Sequence, residues 1–376
     1  MKASANGAAQ SASSSAAHSL ASSLPVSLQA TRHESVAFVR EAWHIVCTSR
    51  ELRSKPIAAK LFGMPLCVFR DANGSAGVLL DRCPHRNVPL TEGRVVDGDL
   101  ECAYHGWRFQ KDGACTRVPG LCRKMEGAGR NAPAFAAREQ DGFVWAWGQP
   151  GAEPTSEPYR FPALNDPGYT TVRRMVDFPG SLHATAENAL DVPHTAFLHR
   201  GLFRGTGKTN EITAIVTRDK ASAQAEYVGE PRPEGLAARI LSPGGGVVVH
   251  YDRFLLPGVA QVEYKLGADT HFLVTTVCTP LEPFVTRAYA VISFRLRIPG
   301  WLIKPFLAPV AMSIFKQDAR ILAKQTQQIQ RFGGESFVST EVDILGSQIW
   351  RLLKRAADGR LEDDKQPWRK EIRLRV

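Results

Sequence analysis

Two short stretches, Cys83–His85 (Cys-Pro-His) and Cys102–His105 (Cys-Ala-Tyr-His), indicate what the N-terminal part of this chain folds around. Pro84 interrupts regular structure, so each pair of ligands is expected at the tip of its own loop. The four candidate ligands are Cys83, His85, Cys102 and His105. Two thiolates and two imidazoles can hold a two-iron, two-sulfur cluster, with one iron on sulfur and the other on nitrogen.

This ligand set is the Rieske type of [2Fe–2S] site, in which two histidines replace two cysteines and raise the reduction potential. The alternative is a zinc ion, although zinc fingers usually place Cys with Cys and His with His. The motif predicts electron transfer and by itself leaves the chemistry open.

Composition narrows the class of protein. The chain has 376 residues, 44% of them hydrophobic and 22% charged, which is enough for two domains with separate cores. Seven scattered cysteines do not suit a secreted disulfide scaffold and favour a reducing, cytoplasmic location. The net charge is +10. No Lys/Arg cluster is interleaved with aromatic residues, so an acidic electron carrier is a more natural partner than nucleic acid.

The chain divides into three parts. Residues 1–35 are rich in Ala and Ser and are predicted to be a disordered tail. Residues 36–160 show short strands between turn signals, which is typical of a small antiparallel β domain. Residues 161–376 mix strands and helices without a βαβ rhythm or a phosphate-binding glycine loop. The fold class is therefore α+β, with one antiparallel sheet covered by helices in the second domain.

A second concentration of metal-binding side chains lies between Glu187 and His199. On a straight α-helix His194 and His199 would point about 140° apart, because each residue turns the chain about 100°. They converge if the helix is interrupted, and Pro193 supplies an interruption. Two imidazoles and one carboxylate form the facial triad of a non-haem iron site that activates O2.

The carboxylate must come from elsewhere in the chain. In the predicted helix from Ile314 to Gln325, apolar residues fall at positions 314, 315, 321 and 322, and Asp318 lies in the middle of that stripe. A carboxylate on a buried face is costly unless it is paired or binds a metal. Asp318 is therefore the predicted third ligand, Asp343 is the second choice, and pairing of Asp318 with Arg320 is the alternative.

The motifs together resemble the Rieske non-haem iron oxygenases, the ring-hydroxylating oxygenase superfamily, over residues 36 to 350. The resemblance rests on Cys83-Pro-His85-Arg86, Cys102-Ala-Tyr-His105-Gly-Trp107 and Glu187-Asn188-x-x-Asp191-x-x-His194-x4-His199. It implies an N-terminal all-β Rieske [2Fe–2S] domain and a helix-grip (START-like) catalytic domain. Electrons from NAD(P)H would arrive through a ferredoxin or a flavin reductase.

The resemblance also implies roles for single residues. The family's iron ligands correspond to His194, His199 and Asp318. Its subunits form a head-to-tail trimer, in which Asp191 links the cluster ligand His105 of one chain to His194 of its neighbour. Asn188 is either a residue beside the iron ligands or a hydrogen bonder on a helix face.

The sequence thus predicts the terminal oxygenase component of a Rieske system. The residues around Asp191 resemble the branch of this family that oxidises bulky hydrophobic molecules, such as sterols and polycyclic or pyrrole compounds. Hydroxylation, demethylation, desaturation and cyclisation all stay open. The alternatives are an electron-transfer protein without oxygenase activity and an oxygenase for a small aromatic acid.

The segment Trp301–Phe315 is apolar, but Lys304, Pro305 and Pro309 interrupt it, and fifteen residues are too few to span a bilayer. We expect this segment to line the core or a substrate entrance. Peripheral contact with a membrane is the alternative.

Overall fold

The computed structural model describes residues 34–122, 129–199, 210–230, 248–267, 270–296, 298–361 and 367–375. Of the predicted tail 1–35, all but Glu34 and Ser35 lie outside these residues.

Three small antiparallel sheets make up the N-terminal half. Their strand orders are β1-β11-β10, β2-β3-β4-β9 and β5-β6-β7-β8. The strands are β1 (Trp43–Thr48), β2 (Ile57–Leu61), β3 (Met64–Arg70), β4 (Ala76–Leu80), β5 (Arg94–Val96), β6 (Asp99–Glu101), β7 (Arg108–Phe109), β8 (Cys115–Arg117), β9 (Ala134–Phe135), β10 (Ala137–Gln140) and β11 (Phe143–Trp147). Strands this short, joined by tight turns, are what the Gly- and Asp-rich punctuation of the sequence predicts.

One eight-stranded antiparallel sheet dominates the C-terminal half, in the order β12-β18-β17-β16-β15-β14-β13-β19. Its strands are β12 (Thr170–Phe178), β13 (Glu211–Arg218), β14 (Ser222–Val228), β15 (Val248–Leu255), β16 (Val259–Leu266), β17 (Thr270–Glu282), β18 (Val285–Arg295) and β19 (Trp368–Arg375). The sequence analysis did not predict β19, because its alternation is dominated by charged residues. It pairs with β13 at the edge of the sheet.

The described residues of this half form four α-helices: α1 (Leu182–Leu190), α2 (Thr195–Leu198), α3 (Gly300–Arg331) and α4 (Gly346–Ala357). Helices α1, α3 and α4 pack on one face of the sheet. Ser181 caps α1 by accepting a hydrogen bond from the N–H of Ala184. The predicted α+β class, a β domain followed by an antiparallel sheet with helices on it, is confirmed.

Helix α3 runs without a break through Pro305 and Pro309. Each proline removes one backbone hydrogen bond while the surrounding turns keep theirs, so the predicted helix is present over this segment. Trp301 and Phe306 are each 71% exposed. Within the described part of the chain, no helix is long and apolar enough to cross a membrane.

The outer face of the large sheet packs against the N-terminal half. A shared apolar cluster joins Trp43, Trp145 and Trp147 to Val259 and Tyr289 of the sheet. The halves are also joined by backbone hydrogen bonds, including one from the N–H of Phe62 to the carbonyl oxygen of Pro280 at 2.9 Å. The chain between β11 and β12 contains neither helix nor strand, and the boundary at residue 160 stays a prediction.

Candidate metal centres

The two Cys/His stretches form a matched pair of loops. In the first, the N–H of Cys83 donates to the carbonyl of Val88 (2.9 Å), and the N–H of Asn87 donates to the carbonyl of Cys83 (2.8 Å). In the second, Cys102 N–H donates to the Trp107 carbonyl (2.8 Å) and Gly106 N–H donates to the Cys102 carbonyl (3.0 Å). The residue four positions after each cysteine has a positive φ: 62° at Asn87 and 67° at Gly106. Asn and Gly tolerate that conformation best.

The loops bring the four predicted ligands together. The rings of His85 and His105 lie 4.5 Å apart between centroids, and both Cys83 and Cys102 are buried. His85 stacks on Trp107 with the ring planes 5° apart. The Nδ1 atom of His85 is shielded from solvent and has no hydrogen-bond partner. A buried nitrogen usually has a hydrogen-bond partner, and one that binds a metal does not need one, so His85 Nδ1 fits a metal ligand.

The spacing of these four residues speaks against a single zinc ion. Tetrahedral zinc with bonds of about 2.0 to 2.3 Å would hold its ligand atoms within about 4 Å of one another. Within the described residues, the only group with three such atoms inside 4.8 Å is His194, His199 and Asp318. The four loop residues do not form such a group among the described residues.

The second site lies where α1 ends. This helix stops at Leu190, and the chain turns before α2 begins at Thr195. The interruption comes three residues earlier than Pro193 itself, in keeping with the tendency of helices to end before the residue that precedes a proline. The turn brings Nε2 of His194 to 3.2 Å from Nε2 of His199.

Asp318 of α3 completes the group. Its Oδ1 atom lies 3.1 Å from Nε2 of His199 and 3.6 Å from Nε2 of His194. His199 is 2% exposed and Asp318 is 7% exposed. Although the imidazoles are close, Asp318 Oδ1 makes no hydrogen bond of acceptable geometry. Two nitrogen lone pairs and one carboxylate oxygen directed at a common point fit a single ferrous ion.

The buried face of α3 differs in part from the predicted stripe. Leu322 is buried, but Ile321 is 43% exposed. The buried positions are Ala311, Asp318, Leu322, Thr326 and Ile329. The predicted stripe wrongly included Ile321, whereas the location of Asp318 on the buried face is confirmed.

Asp191 holds the first imidazole. The His194 Nδ1 atom lies 2.5 Å from the Asp191 carbonyl oxygen and 3.4 Å from its carboxylate. Burial would lower the pKa of His194, but the carboxylates of Asp191 and Asp318 outweigh it and raise the pKa to about 9. Burial likewise would raise the pKa of Asp318, and the two imidazoles hold it below its usual value instead. His194 and Asp318 are therefore both charged before any metal arrives, and a cation would displace the proton of His194.

Gln317 holds the second imidazole, with its Oε1 atom 2.8 Å from Nδ1 of His199. A side chain that accepts from Nδ1–H fixes the tautomer and directs Nε2 toward the metal. Gln317 was not predicted from the sequence, because neighbouring residues of a helix point about 100° apart and its place next to Asp318 gives no signal. Asn188 makes no side-chain hydrogen bond to the triad among the described residues; its carbonyl accepts from the Asp191 N–H. Asp343 lies outside the group and accepts a bond from Thr340 N–H.

Family comparisons match both halves of the chain. The Rieske [2Fe-2S] domain matches residues 42–126. The vanillate O-demethylase oxygenase C-terminal domain matches residues 181–359. The first covers both Cys/His loops and the second covers all three residues of the buried triad.

Among similar curated proteins, the methylxanthine N1-demethylase of Pseudomonas putida is 32% identical over 274 residues, 70% of this chain and 75% of that protein. The oxygenase component of dicamba O-demethylase from Stenotrophomonas maltophilia is 33% identical over 168 residues, 44% of this chain and 49% of that protein. The chain spans about half or less of the first four curated relatives that it matches.

Solved structures share the fold. Dicamba monooxygenase bound to dicamba superposes with a TM-score of 0.72 at 24% identity, covering 86% of this chain and 98% of that chain. The Pseudomonas putida demethylase with caffeine gives a TM-score of 0.71 at 22% identity, covering 88% of this chain and 97% of that one. At these identities the likeness concerns the fold alone.

Proposed function

This chain belongs to the Rieske non-haem iron oxygenases, and we propose that it is the terminal oxygenase component of such a system. The observation that carries the proposal is the buried triad of His194, His199 and Asp318. An electron-transfer protein would need the two Cys/His loops and would gain nothing from an enclosed His2Asp group on a second domain.

The loops are proposed to hold the [2Fe–2S] cluster through Cys83, His85, Cys102 and His105. His105 is exposed, and the neighbouring Tyr104 is 62% exposed. An electron donor or another subunit can therefore reach the histidine end of the cluster. We propose a ferredoxin or a flavin reductase as the donor, because the sequence has no nucleotide-binding fingerprint.

The triad is proposed to hold one ferrous ion, which supplies coordination positions for O2 when it is bound. This chain's own residues do the rest. Asp191 and Gln317 orient the two imidazoles, and the burial of His199 and Asp318 keeps bulk water from the reacting centre. The Asp318 carboxylate balances one of the two positive charges of the ion.

A homotrimer is proposed, with Asp191 joining His194 to the His105 of a neighbouring chain. The Asp191 side chain is 32% exposed while its carbonyl and carboxylate face His194. One side of Asp191 thus remains accessible to another subunit. If the bridge is correct, Asp191→Asn should leave cluster reduction by dithionite unchanged and slow substrate-dependent reoxidation of the cluster by about 10- to 100-fold. Equal reoxidation rates would contradict the bridge.

We propose that the substrate is a hydrophobic molecule such as a polycyclic or pyrrole compound. Bulky sterols, which the sequence resemblance also implies, are a wider class of candidate substrates. Among the curated relatives, two are named for dicamba and methylxanthines and others for chlorophyllide a and aminopyrrolnitrin, so these names lend no support to a sterol. A small aromatic acid is the second candidate.

Location in the cytoplasm stays a prediction. The alternative is peripheral contact with a membrane through the exposed side chains of Trp301 and Phe306. Sedimentation of the protein with liposomes at low salt would test this contact.

Iron stoichiometry tests the function directly. Anaerobically reconstituted protein should contain about three irons and two acid-labile sulfides per chain, two irons in the cluster and one in the triad. With a reductase, NADH and O2 it should consume O2 when the substrate is added. About two irons per chain, with no O2 consumption, would identify an electron carrier instead.

A further inference from the structure

The large sheet carries a cavity (the seam cavity) on the face that packs against the N-terminal half. Its volume of about 590 Å³ lies within the range of roughly 300 to 1,000 Å³ that is usual for small-molecule sites. One wall is the connecting segment, residues 161–169, between β11 and β12. The floor is formed by four side chains of β16 and β17: Gln261, Glu263, His271 and Leu273.

The sheet separates the seam cavity from the iron site. Phe272 and Val274 alternate with the floor residues of β17, and they pack with Ala311 of α3 on the other face. The floor shares its own face with the pair Val259 and Val277, which packs against tryptophans of the N-terminal half. A molecule in this cavity is therefore not placed for oxidation at the triad.

The connecting segment gives the cavity an apolar wall. Phe161 is 6% exposed, and Leu164 packs with it in the apolar cluster that joins the two halves. Ala163 between them has a φ of 59°. This left-handed conformation is unfavourable for a residue with a Cβ atom and persists only where the surroundings fix it. The wall is therefore formed before any ligand arrives.

A chain of hydrogen bonds crosses the floor. Nε2 of His271 lies 2.9 Å from Oε1 of Glu263, and Nδ1 lies 2.5 Å from the Tyr169 hydroxyl. Burial would raise the pKa of Glu263, but Lys265 and Arg253 outweigh it and lower the pKa to about 2. Burial lowers the pKa of His271, so its ring is neutral at pH 7. His271 thus donates from Nε2 to the ionised Glu263, and its Nδ1 accepts the Tyr169 proton.

The hydrogens of Gln261 are committed in the same way. Its Oε1 atom accepts from the Arg253 guanidinium at 3.1 Å, which identifies the other amide atom as nitrogen. That nitrogen donates to the hydroxyls of Tyr159 at 3.1 Å and Thr275 at 3.3 Å. The side-chain hydrogens at the floor are therefore used, whereas the oxygens of Tyr169 and Gln261 keep lone pairs that can accept.

We propose that the seam cavity is a second ligand site, for a neutral and largely apolar molecule that carries a hydroxyl or N–H group. The Tyr169 oxygen accepts the hydrogen of that group, and the apolar body lies against Phe161, Leu164 and Leu273. Because the ligand contacts the connecting segment and the sheet together, its binding holds the segment against the sheet. Binding here is independent of the oxygenase function proposed above.

Charged molecules fit this floor less well. Glu263 is already paired with Arg253 at 2.6 Å and with Lys265 at 2.9 Å, so an ammonium group gains little from it. A carboxylate would meet lone pairs where it needs donors, and a charge without partners is costly to bury. A neutral hydrogen-bond donor is the group that the floor can accept.

A pair of small probes tests the requirement for a donor. 4-Ethylphenol and 1-ethyl-4-fluorobenzene are similar in shape, but only the phenol can donate a hydrogen bond. Each is titrated by calorimetry into reconstituted protein under nitrogen, which prevents turnover. The phenol should bind about three- to tenfold more tightly, as expected for one hydrogen bond between neutral groups. Bound phenol should also slow hydrogen exchange in peptides that cover residues 161–169.

Tyr169→Phe removes the proposed acceptor and keeps the ring beside Arg295, whose guanidinium lies 5.2 Å from the ring centroid. The phenol should then bind no more tightly than the fluoro compound. Tyr251→Phe is the matched control. Tyr251 lies on β15 on the same face of the sheet but does not line the cavity, and its hydroxyl donates to Glu226 at 3.1 Å. Visible absorption of the cluster reports that each variant is folded.

Failure of the phenol to bind, equal binding of the two probes, or an unchanged preference in Tyr169→Phe would overturn the site. Slower exchange confined to peptides that contain the triad residues would also overturn it, because the probes would then occupy the iron site. Iron content and O2 consumption are measured separately, so failure of the seam cavity leaves the oxygenase function standing.

Discussion

The two Cys/His loops and the buried triad are assembled in different ways. The loops take all four ligands from one stretch of chain, close them with repeated backbone hydrogen bonds, and leave His105 at the surface. The triad takes its candidate ligands from the two ends of α2 and from α3, and encloses His199 and Asp318 almost completely. Electron transfer needs a partner within reach, whereas O2 chemistry benefits from the exclusion of water. The difference in burial matches that division of labour.

Removing one candidate ligand from each site should have the largest effect on substrate oxidation, and the two variants should differ in their iron and sulfide content. Asp318→Ala is expected to abolish substrate oxidation and to lower iron from about three to about two per chain, with the cluster absorption intact. Cys102→Ser should also abolish oxidation, but through loss of the cluster and its sulfide. Iron and sulfide analysis of both variants provides the measurement. Loss of sulfide in Asp318→Ala would show that the two sites do not assemble independently.

The N-terminal region should also be sensitive to acid. His44 of β1 is buried, and its Nε2 lies 2.8 Å from the Val39 carbonyl oxygen. Burial lowers the pKa of His44 to about 4, and the bond to Val39 opposes this only in part. The folded pKa lies below the unfolded value of 6.5, so the unfolded state binds more protons between the two. The resulting stability is present above pH 6.5 and is lost as the pH falls toward 4.

The loss of unfolding free energy should amount to about 3 kcal/mol, because the folded and unfolded pKa values of His44 differ by about 2.5. His44→Gln keeps a donor for Val39 and cannot titrate, so its stability should change less over the same range. Hydrogen exchange in peptides that contain Trp43–Thr48, corrected for the intrinsic rate, measures the local free energy of opening. Parallel pH profiles in wild type and His44→Gln would refute the assignment of this loss to His44.

The pH dependence of stability expected from His250 has the opposite sign. The pKa of His250 is raised to about 9, so the stability it contributes is present below pH 6.5 and is lost as the pH rises through 9.

A smaller effect should distinguish orientation from ligation within the triad. Gln317→Leu removes the acceptor for Nδ1 of His199, and iron affinity at this site should fall about 10- to 100-fold with the cluster unchanged. Equilibrium dialysis against Fe(II) under nitrogen measures the affinity. Gln317→Glu should retain most of it. Gln327→Leu makes the same change at an exposed position of α3 and serves as the control. Equal losses in both leucine variants would indicate a general effect on the helix.

The smallest effect is expected where the two halves meet at the surface. Lys60 of β2 pairs with Glu282 of β17 at 2.5 Å, and both side chains are nearly half exposed. Solvent screens such a pair, so Glu282→Gln should change the free energy of unfolding by no more than about 1 kcal/mol. The change should vanish at high salt. Denaturant unfolding at low and high ionic strength checks this, and a larger, salt-independent loss would show that the ion pair matters to how the halves pack.

Part of the triad could be found from the sequence because burial of a carboxylate is a local signal. Asp318 stands out among apolar neighbours, and the turn before His194 follows from Pro193. The stacking of His250 between Tyr227 and Tyr264 gave no such signal, because the three residues come from three strands and meet only through the register of the sheet. Gln317 looks like any helical glutamine until His199 is placed beside it.

The two Cys/His loops could be predicted from local sequence alone. Their candidate ligands are neighbours along the chain, and the positive φ values at Asn87 and Gly106 are properties of single residues. Three contacts required the folded chain: His199 faces Asp318, Gln317 directs the His199 ring, and His250 lies between two tyrosines. Those contacts join residues far apart in the chain, and side-chain packing between α3 and the sheet, rather than any local preference, brings them together.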